Sequence, residues 1–559
     1  MRKKLLSILA LLCLTVSGAW AEVTGSLSGG TLTISGTGAI AEFAWISNSD
    51  ITSIVIENGV TNIGRYAFAG CSSLTSVTIP NSVTSIEEGA FAGCSSLTSV
   101  TIPNSVTSIG DGAFAQTDLT SVTIPNSVTS IGDQPFIACT SLTVISVDAE
   151  NPNYCSESGV LFNKDKTSLI QYPVGKTENS YVIPNSVTSI GRNAFTYSKL
   201  TSVTIPNSVT SIGEYAFSYS SSLESVTIPN SVETIGDQPF IACTNLTVIS
   251  VDAENPNYCS ENGVLFNKEK TILIQYPVGK TENSYVIPNS VTSIGQNAFT
   301  YSKLASVTIG NNVTSIGENA FSYSSSLESV TIPNSVETIG VSAFYGCSGL
   351  TSVTLNSNPF IGDDAFTGIK AGATVTMNLT ANPAGGAYWM TFYNENYSFT
   401  PDVSTKVYKG AVSGDNLELT EVAAIPKNNA AILKSSNATI TMTLDESASA
   451  DFTGNILQGS SVEMATPANC YTLSCGASGT GALGFYKYSG TTLNYGKAYL
   501  INPAGARDFI GFDEATGINS ATLTNSEKVN NEVYDLQGRR VQNPTKGLYI
   551  VSGKKVVIK

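Results

Sequence analysis

The chain has 559 residues, no histidine, and 43 acidic against 28 basic side chains, for a formal net charge of −15. That balance repels phosphate backbones and argues against nucleic-acid binding, and the missing imidazole excludes Ser-His-Asp and Cys-His machinery and the usual zinc sites. Charged residues make up only 13%, so solubility falls to Ser, Thr, Asn and Gly, and the length suffices for two or three domains.

Met1-Arg2-Lys3-Lys4 precede an apolar run from Leu5 to Val16 and then Ala19-Trp20-Ala21. A basic start, a short apolar core and an A-x-A site predict a secretory signal over 1–21, removed before Glu22. The run is too short for a permanent anchor, and no later segment is apolar and long enough to span a bilayer. Cys13 raises a lipoprotein alternative, which Leu12 disfavours because a small residue is needed there. Losing Arg2, Lys3 and Lys4 takes the charge from −15 to −18.

Residues 22–47 hold Thr31-Leu32-Thr33-Ile34-Ser35 and then Phe43-Ala44-Trp45. They differ from the repeated unit of the next segment and read as an N-terminal cap, since a stack of coils needs an atypical end.

From 48 to 370 one unit recurs. It reads Leu74-Thr75-Ser76-Val77-Thr78-Ile79-Pro80-Asn81-Ser82-Val83-Thr84-Ser85-Ile86 and closes with Ala90-Phe91-Ala92-Gly93-Cys94. Aligning the second inward residue of each strand gives thirteen coils, Ile56, Ile79, Ile102, Ile124, Val147, Ile183, Ile205, Ile228, Val251, Ile287, Ile309, Ile332 and Leu355. The prolines after the strands, with Gly310 in the same slot, step by 22 or 23 residues, apart from two gaps of 59. A fixed period of this length means a solenoid in which each coil buries its apolar face on the next. Val77 and Ile79 alternate with Ser76 and Thr78, so the apolar pair faces in and the hydroxyls face out. Pro80-Asn81-Ser82 is turn chemistry. The phenylalanines of successive coils, Phe68, Phe91, Phe114 and onward to Phe366, should stack as a buried ladder.

Cys71, Cys94, Cys139, Cys243 and Cys347 share the slot after Ala-Phe or its equivalent, where Ser220 and Ser324 stand in other coils. Interchange with serine suggests a small packed residue; a Cys71–Cys94 bridge in an oxidising compartment stays open. Cys155 and Cys259 fall in insertions, and the odd total of nine after cleavage leaves a free thiol unless chains cross-link.

Each 59-residue gap holds a variant coil and an extension, Val147 to Pro173 and, 104 residues on, Val251 to Pro277. Two short strands around Asn163-Lys164-Asp165 predict a β-hairpin standing off the solenoid. Such hairpins are contact points or edge decoration. Asp148/Glu150 and Asp252/Glu254 beside Asn-Pro-Asn offer oxygens of the kind calcium takes, but turn residues would look the same. No metal, cofactor or catalytic residue is assigned.

Residues 371–515 change to antiparallel-type alternation, as in Thr439-Ile440-Thr441-Met442-Thr443-Leu444, and read as a sandwich-like β domain. Cys470 and Cys475 could close a small loop there. Residues 516–531 look like a linker, and 532–559 are unlike anything earlier.

The repeat unit resembles the BspA-like leucine-rich repeat of bacterial surface proteins. That resemblance implies a curved right-handed solenoid, surface display and adhesive binding, without naming a ligand. The end of the chain, with Gly538-Arg539, Gly547-Leu548-Tyr549-Ile550 and Lys555, resembles the C-terminal sorting domain of the Por (type IX) secretion system. It implies export across the outer membrane by secretion machinery; the alternative is a basic hairpin ending the preceding domain.

The expected fold is therefore mainly β: a leucine-rich-repeat solenoid with a parallel sheet, an antiparallel β domain and a short sorting-like β domain. The candidate binding residues are the outward pairs Ser76/Thr78, Ser99/Thr101, Ser121/Thr123, Ser202/Thr204, Ser225/Thr227, Ser306/Thr308 and Ser329/Thr331. They read as a protein- or glycan-binding surface, as simple solubilisation of a parallel sheet, or as a water-ordering lattice. The function expected is a secreted or outer-surface, non-enzymatic adhesin or binding scaffold for extracellular proteins or glycans of host or neighbouring cells. The competing reading is a secreted carbohydrate-active or hydrolytic protein whose β domain acts while the solenoid presents it.

Overall fold

The computed structural model describes residues 23–460 except 385, 414, 415 and 454, and beyond 460 chiefly the strand segments. The expected signal at 1–21, Cys475 and Gly538-Arg539 lie outside the described residues. The described elements are all strands and turns, and the solenoid has about fifteen turns. Two compact units divide the chain, 1–246 with 251–257, and 247–250 with 258–559.

In the first unit Thr24–Ser28 folds back antiparallel on Thr31–Ser35. Thr31–Ser35 in turn pairs in parallel with Ser53–Ile56, Ile34 opposite Ile56. The N-terminal cap thus supplies the first rung of the sheet, and the exposed strand Thr24–Ser28 covers its edge, where unpaired backbone would otherwise template association. Each coil then makes two strands. The longer one carries the Ser-Val-Thr pattern, as Ser121–Ile124 pairing with Val144–Val147. The shorter one is a two-residue step such as Ser85–Ile86, in register with Ser108–Ile109. On the remaining side, turns replace strands yet still bond from coil to coil: Phe68 N–H donates to Ala90 O and Phe91 N–H to Ala113 O. Burial drives the stacking, because the Trp45, Phe68, Phe91, Phe114 and Phe136 rings succeed one another at 5.3–5.7 Å between centroids. The four phenylalanines are completely buried.

The long coil differs from expectation. Tyr154–Glu157, Val160–Asn163 and Ser168–Gln171 form an antiparallel meander, and Ser168–Gln171 then joins the short-strand sheet in parallel with Ser189–Ile190. No hairpin stands off here. Val160, Leu161, Phe162 and Leu169 are wholly buried, because three successive apolar residues can only be satisfied by cover on both faces of a strand. Tyr172 then occupies the phenylalanine slot: its N–H donates to Ala194 O as Phe195 N–H does to Ala216 O, and its ring lies 5.4 Å from that of Phe195.

The second unit repeats the long coil with Tyr258–Glu261, Val264–Asn267 and Ile272–Gln275. The ring ladder runs Tyr276, Phe299, Phe321, Phe344 and Phe366 at 4.8–5.7 Å. Past Ser352–Leu355 the solenoid sheet continues into Thr374–Thr380, parallel, with Leu355 opposite Met377. The other edge of Thr374–Thr380 pairs antiparallel with Thr439–Leu444, so this strand belongs both to the last coil and to the β domain after it.

That domain has two groups of antiparallel strands. Ala387–Asn394, Asn429–Ser435, Thr405–Ser413 and Asn416–Val422 make one. Leu457–Gly459, Ala498–Ile501, Cys470–Ser474 and Gly484–Lys487 make the other. Trp389, Tyr393, Tyr408 and Ile432 of the first pack with Leu457, Tyr471, Phe485 and Leu500 of the second in one apolar cluster. Ala521–Thr524, within the stretch that resembles a linker in sequence, pairs with both Asn416–Val422 and Phe509–Gly511. At the end, Val533–Tyr534, Gly547–Val551 and Lys554–Ile558 form a three-stranded antiparallel sheet.

Candidate functional site

All fourteen candidate hydroxyl-bearing residues are exposed. In the first unit these are Ser76, Thr78, Ser99, Thr101, Ser121, Thr123, Ser202, Thr204, Ser225 and Thr227. In the second they are Ser306, Thr308, Ser329 and Thr331. Register aligns them into columns, with Ser53 opposite Ser76, Ser202 opposite Ser225, and Ser306 opposite Ser329. Ser99 and Thr101 lie on the same path but outside any named strand. Among the described residues none of these fourteen side chains has a hydrogen-bond partner, so each offers a donor and acceptor sites to solvent or a ligand.

Other serines and threonines of the same unit behave oppositely. Just after the proline, Ser82 Oγ donates to Val60 O at 2.7 Å, and Ser105, Ser208, Ser231 and Ser335 repeat the bond to the valine one coil back. Thr84, Thr107, Thr129, Thr210 and Thr314 each donate to the carbonyl of the corresponding residue in the preceding coil at 3.1–3.3 Å. These hydroxyls are staples between coils.

A third column is buried. Cys71 Sγ points to Trp45 O and Cys94 Sγ to Phe68 O, each at 3.2 Å, and Cys243 and Cys347 make the same contact at 3.0 Å. Ser220 Oγ donates to Phe195 O at 2.7 Å and Ser324 Oγ to Phe299 O at 2.8 Å. The slot therefore requires a small side chain that donates to a carbonyl, which explains why cysteine and serine interchange. These thiols are unbridged, and burial pushes those of Cys94 and Cys347 up to about 12, leaving them unreactive as nucleophiles.

At the oxygen-rich corner beside Asp148 and Glu150, the Asn151 amide is engaged in a similar way. Asn151, fully buried, donates through Nδ2 to Pro125 O and Val128 O, and its Oδ1 accepts from the N–H groups of Asn153 and Tyr154. Asp148 Oδ1 accepts from Glu150 N–H. Among the described residues no group of three or more His, Cys, Asp or Glu side chains comes together.

Two surface features carry no signature in the repeat pattern. Val182 and Val286 occupy the outward threonine position in the coil after each long coil and are 68% and 67% exposed. Val182 stands opposite Thr204, and Val286 opposite Thr308. The turn side carries stacked tyrosines, the exposed Tyr197 and Tyr219 at 5.1 Å and the half-buried Tyr301 on the exposed Tyr323 at 5.2 Å. All four sit at positive φ.

A profile describing the BspA-type leucine-rich repeat region matches residues 38–157, 176–273 and 279–382, in six copies and over more than half of the chain. The chain belongs to the BspA-type leucine-rich repeat family. Solved structures similar to this member include a leucine-rich repeat protein from Eubacterium ventriosum, at 27% identity and TM-score 0.45, covering 62% of this chain and 92% of that one. A leucine-rich cell surface protein from Faecalibacterium prausnitzii aligns at 22% identity and TM-score 0.31, covering 64% and 95%. The pneumococcal vaccine antigen PcpA aligns at 19% and 0.31, covering 64% and 85%. No curated protein matches the chain. In this BspA-type solenoid the strand hydroxyls are among the groups of the repeat that have no partner among the described residues.

Proposed function

We propose that this BspA-type protein is a secreted or outer-surface scaffold that binds extracellular proteins or glycans through the strand face of its solenoid and performs no catalysis. The observation that carries the reading is the division of hydroxyls. Most post-proline serines and threonines bond between coils, whereas the fourteen strand hydroxyls are exposed and, among the described residues, without partners. A surface of many equivalent hydroxyls gives many weak contacts, so affinity arises by summation and not from one deep pocket. Val182 and Val286 add apolar steps to the same columns. Surface delivery is supported by the expected signal at 1–21 and by the sorting-like end, which would engage export machinery. Nucleic acid is disfavoured as a partner by the net charge of −15.

The test is binding of the full chain to immobilised matrix proteins, with and without Ser202, Thr204, Ser225 and Thr227 changed together to lysine. The proposal expects single changes to do little and the fourfold change to abolish binding. Retained binding in the fourfold variant would place the contact elsewhere. For the sorting-like end, truncation after Asn531 should retain the protein in the periplasm; surface exposure of the truncated chain would refute that role.

A further inference from the structure

The β domain of the second unit holds a cleft of about 350 Å³ between the end of Ala387–Asn394, the start of Asn429–Ser435 and Leu457–Gly459. Its volume is at the small end of the ~300–1,000 Å³ usual for small-ligand sites. Tyr393, Asn428, Asn429, Phe452, Gln458 and Gly459 are among the residues lining it, and the lining contains no carboxylate, ammonium or guanidinium group.

We propose that this cleft binds a short neutral saccharide, independently of the solenoid face. The argument starts with the carboxamides. Tyr393 Oη donates to Asn428 Oδ1 at 2.8 Å, which fixes that amide and leaves its Nδ2 hydrogens without a partner among the described residues. Asn429 Nδ2 donates to Lys427 O at 3.0 Å, leaving Oδ1 as an acceptor. Gln458 is exposed and, among the described residues, both ends of its amide are unengaged. The cleft thus offers donors and acceptors side by side. An anion would want donors alone and a cation acceptors alone, while a sugar hydroxyl both gives and takes a hydrogen bond. The half-buried Phe452 ring supplies an apolar wall for the C–H face of a pyranose.

The frame is built to keep the space open. A Cβ at Gly459 would lie 1.8 Å from Tyr393 Cδ2, so only glycine lets the strand pass against that ring. Asn428 adopts φ 58°, a conformation asparagine tolerates better than most residues. Asn455 braces the floor: its Nδ2 donates to Ala430 O at 2.8 Å and its Oδ1 accepts Gly410 N–H at 3.0 Å. At the cleft, Asn429–Ser435 is paired with Ala387–Asn394 along one side, and on the other Asn455 takes Ala430 O, the ladder with Thr405–Ser413 beginning only at Ile432. The mixed donors and acceptors beside an apolar ring favour the saccharide over a peptide.

The test uses the full chain and short neutral oligosaccharides of glucose, galactose, mannose and N-acetylglucosamine, with ligand-observed saturation-transfer NMR as the readout. At least one series should bind. Gln458→Ala and Asn428→Gly should each weaken it about tenfold, roughly the loss of one good hydrogen-bonded contact. Lysine substitution of Ser202, Thr204, Ser225 and Thr227 should leave it unchanged, so failure here and failure of the solenoid face are separable. Because Gln458 is exposed, its variant will fold, and circular dichroism checks both. No binding by any series, binding unaffected by the two variants together, or capture of blocked tripeptides in place of sugars would each overturn the proposal.

Discussion

Ser82 and Ser76 are six positions apart in the same coil, yet one is a structural staple and the other an open surface group. The difference lies in where the backbone of the preceding coil passes. Beyond the proline the chain turns, and the carbonyl of Val60 comes within 2.7 Å of Ser82 Oγ. Along the strand, backbone carbonyls are taken by the parallel ladder, and the Ser76 side chain, perpendicular to the sheet, has no partner among the described residues. Identical residue types therefore do opposite work according to side of the coil. The staple side answers to stability, and the open side can answer to a ligand.

Substitutions and alkali should separate the two sides by size of effect. The largest loss is expected in alkali. The Cys94 and Cys347 thiols are raised from 9.0 to about 12 by burial, so stability is complete below pH 9 and falls as pH rises from 9 towards 12. Each ionisation costs on the order of 4 kcal/mol at the upper end. Denaturant titrations across that window should show the midpoint dropping, and a Cys94→Ser variant should drop less.

Next is the ring ladder. Phe91→Ala leaves a cavity between Phe68 and Phe114 and should cost about 3–5 kcal/mol in chemical denaturation. Tyr172→Ala should cost a similar amount, which would confirm that the long coil shares the ladder.

Third, Ser220→Ala removes the buried donor to Phe195 O and should cost about 1–3 kcal/mol. Ser220→Cys should recover most of it, since cysteine makes this bond in neighbouring coils. On the staple side, Ser208→Ala should cost about 0.5–1.5 kcal/mol through loss of its bond to Val187 O. The smallest change belongs to the open side, where Thr204→Ala should shift stability by no more than about 0.5 kcal/mol.

Much of this is legible in the sequence. The repeat at 22 or 23 residues and the period-two alternation locate the parallel strands, the buried phenylalanines and the outward Ser-x-Thr pairs by pattern alone. The first and last rungs escape that pattern because Thr31–Ser35 and Thr374–Thr380 are followed by neither the Pro-Asn-Ser turn nor the Ala-Phe closure that most coils carry. The long coil escapes it for a related reason. Tyr172-Pro173-Val174 does not look like Ala-Phe, and only the stacking of Tyr172 on Phe195 shows the shared slot. Which hydroxyls are engaged depends on distances between coils, and sequence alone carries no such information. The cleft in the β domain is beyond reach of the sequence, since Tyr393, Asn428, Phe452 and Gln458 have no characteristic spacing and meet only through strand pairing.

The central claim is that the strand hydroxyls are the working surface of the protein. It is tested most directly by comparing two fourfold variants of the full chain against the best ligand from a matrix-protein panel, after both are shown to be folded. One carries Ser202, Thr204, Ser225 and Thr227 as alanine, and the other carries Ser208, Thr210, Ser231 and Thr188 as alanine. The account predicts that the first loses binding with nearly unchanged stability, while the second loses stability and keeps its affinity below the melting transition. Unchanged binding in the first, or lost binding in the folded second, would contradict it.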